Sequence, residues 1–160
     1  MASELEMVVT DPGDPDVVAL LEGHLSFAAE HSPPEDVHAL DLDGLRDPSI
    51  TFLAARRDGV LLGVGALKVL DPTHGELKSM HTLAASRGSG VGAALVRRLL
   101  DEARALGLER VSLETGSMEA FAPARRMYAR AGFVACEPFG DYNPSRNSTF
   151  MTLDLSPDAR

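Results

Sequence analysis

Between Ile50 and Leu83 the chain presents three apolar or β-branched runs separated only by tight turns, leaving no room for a helix between them. Ile50 to Arg57 reads as a strand, Asp58-Gly59 as a hairpin turn, and Val60 to Leu70 as the returning strand, thinned in its middle by Gly63 and Gly65. Asp71-Pro72-Thr73-His74-Gly75 is a second turn, and Glu76 to Leu83 a third strand, so the stretch is expected to pair as an antiparallel meander. A glycine-rich segment at Arg87 to Gly92 follows. It opens a helix whose apolar positions are Val91, Leu95, Leu99, Ala103 and Leu106, closed by Gly107, and then comes a strand from Arg110 to Thr115. Strand, helix and strand in succession predict parallel neighbours. A meander followed by one such unit is neither a doubly wound sheet nor a sandwich, so the expected class is mixed α+β around one central sheet.

The flanking segments fit the same plan. Glu4 to Thr10 reads as an opening strand, and Asp11-Pro12-Gly13-Asp14-Pro15 as a turn. A helix is expected from Asp16, with Val17, Leu20, Leu21, Leu25 and Phe27 at near-helical spacing, ending before His31-Ser32-Pro33-Pro34; a second short helix is placed at Glu35 to Leu45. Pro123 suits the first turn of a further helix with Ala124, Met127, Tyr128 and Ala131 inward and Gly132 at its end. Phe133 to Cys136 and Thr149 to Leu155 are expected strands, joined by a polar loop over Pro138 to Ser148. No repeat or interior linker divides the chain, so residues 1–160 are read as one domain.

Composition narrows the function classes. No apolar stretch approaches the roughly 20 residues that cross a bilayer, which argues against a membrane protein. A formal net charge of -9 argues against a nucleic-acid surface, which needs clustered Lys and Arg. The single Cys136 has no internal partner and the start MASELEMVVT lacks a leader pattern, so a reducing, cytoplasmic setting is expected. His24, His31, His38 and His74 show no metal-ligand spacing with Cys136 or one another, so no metal is implied.

The segment RGSGVG lies where a strand gives way to a helix, and there main-chain amides without intrahelical partners point outward with the positive end of the helix dipole. Glycines at Gly88, Gly90 and Gly92 would let a pyrophosphate approach those amides, with Arg87 as a charged donor; the alternative is a plain glycine-rich turn. The run GSGVGA also matches the dinucleotide fingerprint, with Glu114 ending the next strand as a ribose-binding acid might. That reading fails because a meander precedes the motif and too little chain follows for further βαβ units.

The turn fits the pattern R/Q-x-x-G-x-G/A, and AxxxYxxxGF at Ala124, Tyr128, Gly132 and Phe133 follows one helix and one strand later. Together these resemble the GCN5-related N-acetyltransferase (GNAT) superfamily, over roughly Ile50 to Leu155. GELKSMHT, LETG and PFGDY resemble in particular a subgroup of small bacterial acetyltransferases of poorly defined substrate. The resemblance implies a three-layer fold with a mostly antiparallel sheet of about six to seven strands flanked by about four helices. It implies acetyl-coenzyme A as co-substrate, held by Arg87, Gly88, Ser89, Gly90, Val91 and Gly92, with the main chain of Met80 and Thr82 pairing with the pantetheine arm.

Transfer to an amine needs a base, because alkyl amines are protonated near pH 7, and an acid for the departing thiolate. The resemblance makes Tyr128 the acid, core packing being its alternative. Glu76 stands eleven positions before Arg87, the spacing at which some family members carry a catalytic glutamate; Glu114 on the neighbouring strand is the second candidate base. Alternation places Lys78, Met80 and Thr82 on the face of Glu76, so Lys78 could hold Glu76 ionised or grip a substrate carboxylate, and puts His81 on the opposite face. Asp141 and Tyr142 could close over the acceptor. Phe121 occupies the position, seven before the tyrosine, where the family often has asparagine; Arg125, Arg126 and Arg130 could meet the adenosine 3'-phosphate or form a solvated face. Cys136 lacks triad partners, so direct transfer to a small-molecule amine is expected over an acyl-enzyme. A non-catalytic acyl-coenzyme A sensor of the same fold, or a protein acetyltransferase, is the alternative, and a homodimer follows from family habit alone.

Overall fold

The computed structural model describes residues 4–31 and 42–155. Strand β1 (Glu6–Val9) leads into helix α1 (Pro15–His31), and a single helical turn α2 (Leu42–Leu45) precedes the meander β2 (Ile50–Arg57), β3 (Val60–Asp71) and β4 (His74–Thr82). Helix α3 (Val91–Ala105), strand β5 (Arg110–Gly116), helix α4 (Ala122–Arg130) and strands β6 (Val134–Ala135) and β7 (Ser148–Asp154) complete the order. The helical complement is thus slightly lighter than expected: three helices of two turns or more plus the short α2, among the described residues. Most of the segment expected as a helix over Glu35 to Leu45 lies outside the described residues; its end is α2.

The seven strands form one sheet in the order β1-β2-β3-β4-β5-β7-β6. Only β4 and β5 are parallel, as the intervening α3 requires. Asp58 and Gly59 both take positive φ (53° and 78°), the geometry that lets a two-residue turn follow the twist of β2 and β3. At the next turn Asp71 Oδ1 accepts from the amide and hydroxyl of Thr73 (2.8 and 3.0 Å), so the reversal is completed early and β4 begins at His74 rather than Glu76.

Each face of the sheet carries its own core. Against one face, α3 and α4 bury Leu53, Leu67, Leu77, Leu95, Val96, Leu99, Val111 and Leu113; against the other, α1 buries Val17, Leu20 and Leu21 on Phe52, Ala54, Val64 and Ala66. A fully buried leucine such as Leu95 or Leu99 contributes about 1.5–3 kcal/mol. Leu106, expected on the buried stripe of α3, is 54% exposed. The helix stops at Ala105, Gly107 turns the chain with φ 79°, and Leu108 folds back beneath it through a bond from its amide to Ala103 O (3.0 Å).

One feature of the sheet positions the site. Strands β4 and β5 pair only from His74 to Leu77 and from Arg110 to Leu113, after which β4 stays with β3 and β5 stays with β7. The sheet therefore opens into a V between Lys78–Thr82 and Glu114–Gly116, with the N-terminus of α3 at its mouth.

Candidate functional site

A bulge in β4 decides which side chains reach the opening. Ala66 pairs with Lys78 but Val64 pairs with His81, so β4 carries one extra residue here, and Ser79 takes a left-handed φ of 55° to admit it. Side chains beyond the bulge change sides. Glu76, Lys78 and His81 consequently share the face of Val64 and Ala66, whereas Met80 turns to the α3 face and packs over Gly65. This corrects two expectations from simple alternation: His81 lies on the face of Glu76, and Met80 and Thr82 lie on the other.

The opening is a cavity of about 580 Å³. One end is walled by Arg87, Gly88, Gly90, Val91, Gly92 and Ala93 at the start of α3. The first intrahelical bond runs from Ala94 N to Gly90 O, which leaves the amides of Val91, Gly92 and Ala93 without helical acceptors. Gly88 and Gly90 have φ of 79° and 90°, and a side chain at either would project into open space, so a phosphate can come against the main chain there. Two members of the run do something else. Gly92 also brings α3 close to α4, since a Cβ there would stand 2.8 Å from Met127 Sδ. Ser89 does not line the cavity; its amide and hydroxyl both donate to Ser86 O.

At the other end Glu76, 4% exposed, accepts on Oε2 from Tyr142 Oη (2.6 Å) and Lys78 Nζ (3.1 Å), and Lys78 Nζ also donates to Tyr142 Oη (3.1 Å). The ammonium lies 5.6 Å from the centre of the Tyr142 ring, beyond its hydroxyl end. Tyr142 is fixed by edge contacts with Phe139 and Phe150 at 5.2 and 5.5 Å. Burial, then the neighbouring Glu76 charge and hydrogen bond, then the charge of Glu114, push its phenol well above the ordinary range. Asp141 is exposed on the turn that carries Tyr142 and does not line the cavity, so only one of the pair PFGDY supplies reaches the site.

Tyr128 stands between the two ends. It is 6% exposed, rests edge-on against Phe133 at 5.9 Å, lines the cavity, and has no hydrogen-bond partner for its hydroxyl among the described residues. Burial raises its phenol pKa well above the usual value, so it is a neutral donor at pH 7. Glu114 lines the cavity on β5, on the same face as Glu76. Among the described residues no group of three or more His, Cys, Asp or Glu could hold a metal, and no helix is long and apolar enough to cross a membrane.

Residues 17–133 match the family model described as Acetyltransferase (GNAT) family. The chain belongs to the GNAT acetyltransferase family. It is 50% identical over 139 residues to the uncharacterized N-acetyltransferase YsnE of Bacillus subtilis, covering 87% of this chain and 92% of that protein. It is 40% identical over 140 residues to an IAA acetyltransferase of Azospirillum brasilense, covering 87% and 90%. A crystal structure of a Klebsiella pneumoniae protein described as an acyl-CoA N-acyltransferase superposes with a TM-score of 0.82 at 26% identity, covering 95% of this chain and 98% of that one. The protein is therefore a GNAT-type acyltransferase.

Several residues of this GNAT site escape sequence reasoning. Arg125 does not line the cavity: its Nη1 donates to Gly116 O (2.6 Å) and Met118 O (2.9 Å), tying α4 to the end of β5. Phe121, noted only as a departure from the family pattern, packs its ring on Gly116 and forms cavity wall. Arg130 does reach the cavity; Arg126 does not. Behind Glu76 a polar chain runs from His74 Nε2 to Ser112 Oγ (2.7 Å) and on to Thr152 Oγ1 (2.9 Å), which Arg110 also reaches (3.1 Å). Burial pushes the His74 pKa down. No motif announces this chain; only pairing β5 with both β4 and β7 assembles it.

Proposed function

We propose that this enzyme transfers acetyl directly from acetyl-coenzyme A to the amine of a small-molecule acceptor. The V between β4 and β5 carries the reading, because it joins free helix amides at one end to a buried carboxylate at the other. The main chain of Met80 and Thr82 would pair with the pantetheine arm, the amides of Val91, Gly92 and Ala93 would take the pyrophosphate, and Arg87 would add a charged donor. The thioester supplies the acyl carbon. Glu76, or Glu114 beside it, accepts a proton from the acceptor ammonium, and the freed nitrogen bonds to that carbon. As the C–S bond breaks, the Tyr128 hydroxyl gives its proton to the thiolate and recovers one from the new amide nitrogen; the carboxylic acid returns its proton to water.

Calorimetric titration tests the coenzyme end. Micromolar binding of acetyl-coenzyme A is expected in the wild type and its loss in Gly90→Glu, which would fill the open space at φ 90° with a carboxylate. Binding that survives the substitution would refute the cradle, and binding without transfer to any amine would favour a sensor of the same fold.

A further inference from the structure

The Glu76–Lys78 pair is incomplete on both partners. Lys78 Nζ has three N–H donors, of which Glu76 and Tyr142 take two. Glu76 receives both of its hydrogen bonds on Oε2, leaving Oε1 without a partner among the described residues. Both side chains line the cavity and are nearly buried, at 5% and 11% exposure, so a ligand meets them from the cavity. A cationic donor and an anionic acceptor, 3.1 Å apart, thus face the cavity side by side, with Tyr142 held against both by Phe139 and Phe150.

We infer that the acceptor is a zwitterion of the α-amino acid class, its carboxylate taken by the third N–H of Lys78 and its ammonium by Oε1 of Glu76. The two charges of such a molecule are separated by one carbon, which matches a donor and an acceptor on alternate residues of one strand. A simple amine would satisfy Glu76 and bring no anion to the remaining Lys78 donor. Recognition and chemistry are coupled: a carboxylate on Lys78 competes with Glu76 for the ammonium and releases Glu76 to accept the proton of the amine held beside it. Tyr142 acts as a positioning residue, keeping Lys78 and Glu76 in register while the partners exchange.

The inference rests on the acetyl-transfer reading above, and the test separates the two. The full-length protein with saturating acetyl-coenzyme A is assayed for thiol release against the twenty standard amino acids, their amides, their decarboxylated amines, and IAA, the compound in the name of the Azospirillum brasilense relative. At least one amino acid is expected to exceed its own amide and amine at least tenfold in kcat/KM, corrected for the fraction of free amine. Lys78→Met should erase that preference through KM for the acceptor with KM for acetyl-coenzyme A unchanged, and Lys78→Arg should retain most of it. Equal use of amides or amines, use of IAA alone, or no amino acid bound or acetylated by protein that binds the coenzyme would each overturn the zwitterion assignment. Failure to bind acetyl-coenzyme A would instead overturn the reading beneath it.

Discussion

Two phenols face one cavity, and their surroundings give them different work. Tyr142 is tied to Glu76 and Lys78, while Tyr128 lines the cavity with no hydrogen-bond partner for its hydroxyl among the described residues. Removing the Tyr128 hydroxyl in Tyr128→Phe is expected to lower kcat by about 10²–10⁴-fold, the usual range for a positioned acid, with acetyl-coenzyme A binding retained in a calorimetric titration. Because burial holds the Tyr128 pKa above the unfolded value of 10.0, its stabilisation is fully present below pH 10 and is lost as pH climbs toward the raised value. Denaturant titrations above pH 10 should therefore show a shallower loss of stability in Tyr128→Phe than in the wild type.

At the scale of elements, the joint between β5 and α4 sets the shape of the coenzyme wall. Phe121 lies flat on Gly116 and Arg125 clasps the two carbonyls on either side of the bend, so strand and helix move as one piece. In Gly116→Ala the new methyl would collide with the Phe121 ring, which is rigid and cannot yield as a methionine would. Overpacking of this kind costs about 1–3 kcal/mol; the urea midpoint should fall accordingly and KM for acetyl-coenzyme A should rise as the ring is driven into the cavity. Local signals made most elements legible: Asp58-Gly59, Gly107 and Gly132 punctuate the chain where the structure turns, and the apolar spacing of α3 marks the face it buries. Helix-forming patterns depend on neighbours three and four residues away, so they survive in a single sequence. What was not legible depended on pairing. Nothing in GELKSMHT marks Ser79 as an inserted residue, so simple alternation puts His81 and Met80 on the wrong sides. Nothing near RGSGVG tells that Gly92 answers to Met127 on another helix, or that Ser89 answers to Ser86.

Taken whole, the molecule is a sheet held together along its middle by only a short parallel ladder, His74–Leu77 against Arg110–Leu113. Past that ladder the β1–β4 part and the β5–β7 part are separate at the level of main-chain pairing. A ligand pairing with the main chain in the V would act as a missing strand, so binding should tighten the fold as well as occupy it. At a hundredfold excess over Kd the stabilisation is about 2.7 kcal/mol, and hydrogen-exchange protection should rise at Lys78–Thr82 and Glu114–Gly116 more than at β1 or β2. Uniform protection, or none at the V, would mean the coenzyme lies elsewhere.

The bulge at Ser79 carries a consequence for how such a chain can change through descent. Substitutions along β4 alter one wall at a time, but gaining or losing a single residue there exchanges the tenants of the two faces for everything downstream in the strand. Met80 would then quit the apolar side and His81 would enter it, undoing a core and a cavity wall in one event. Length, more than identity, is what this strand has to conserve.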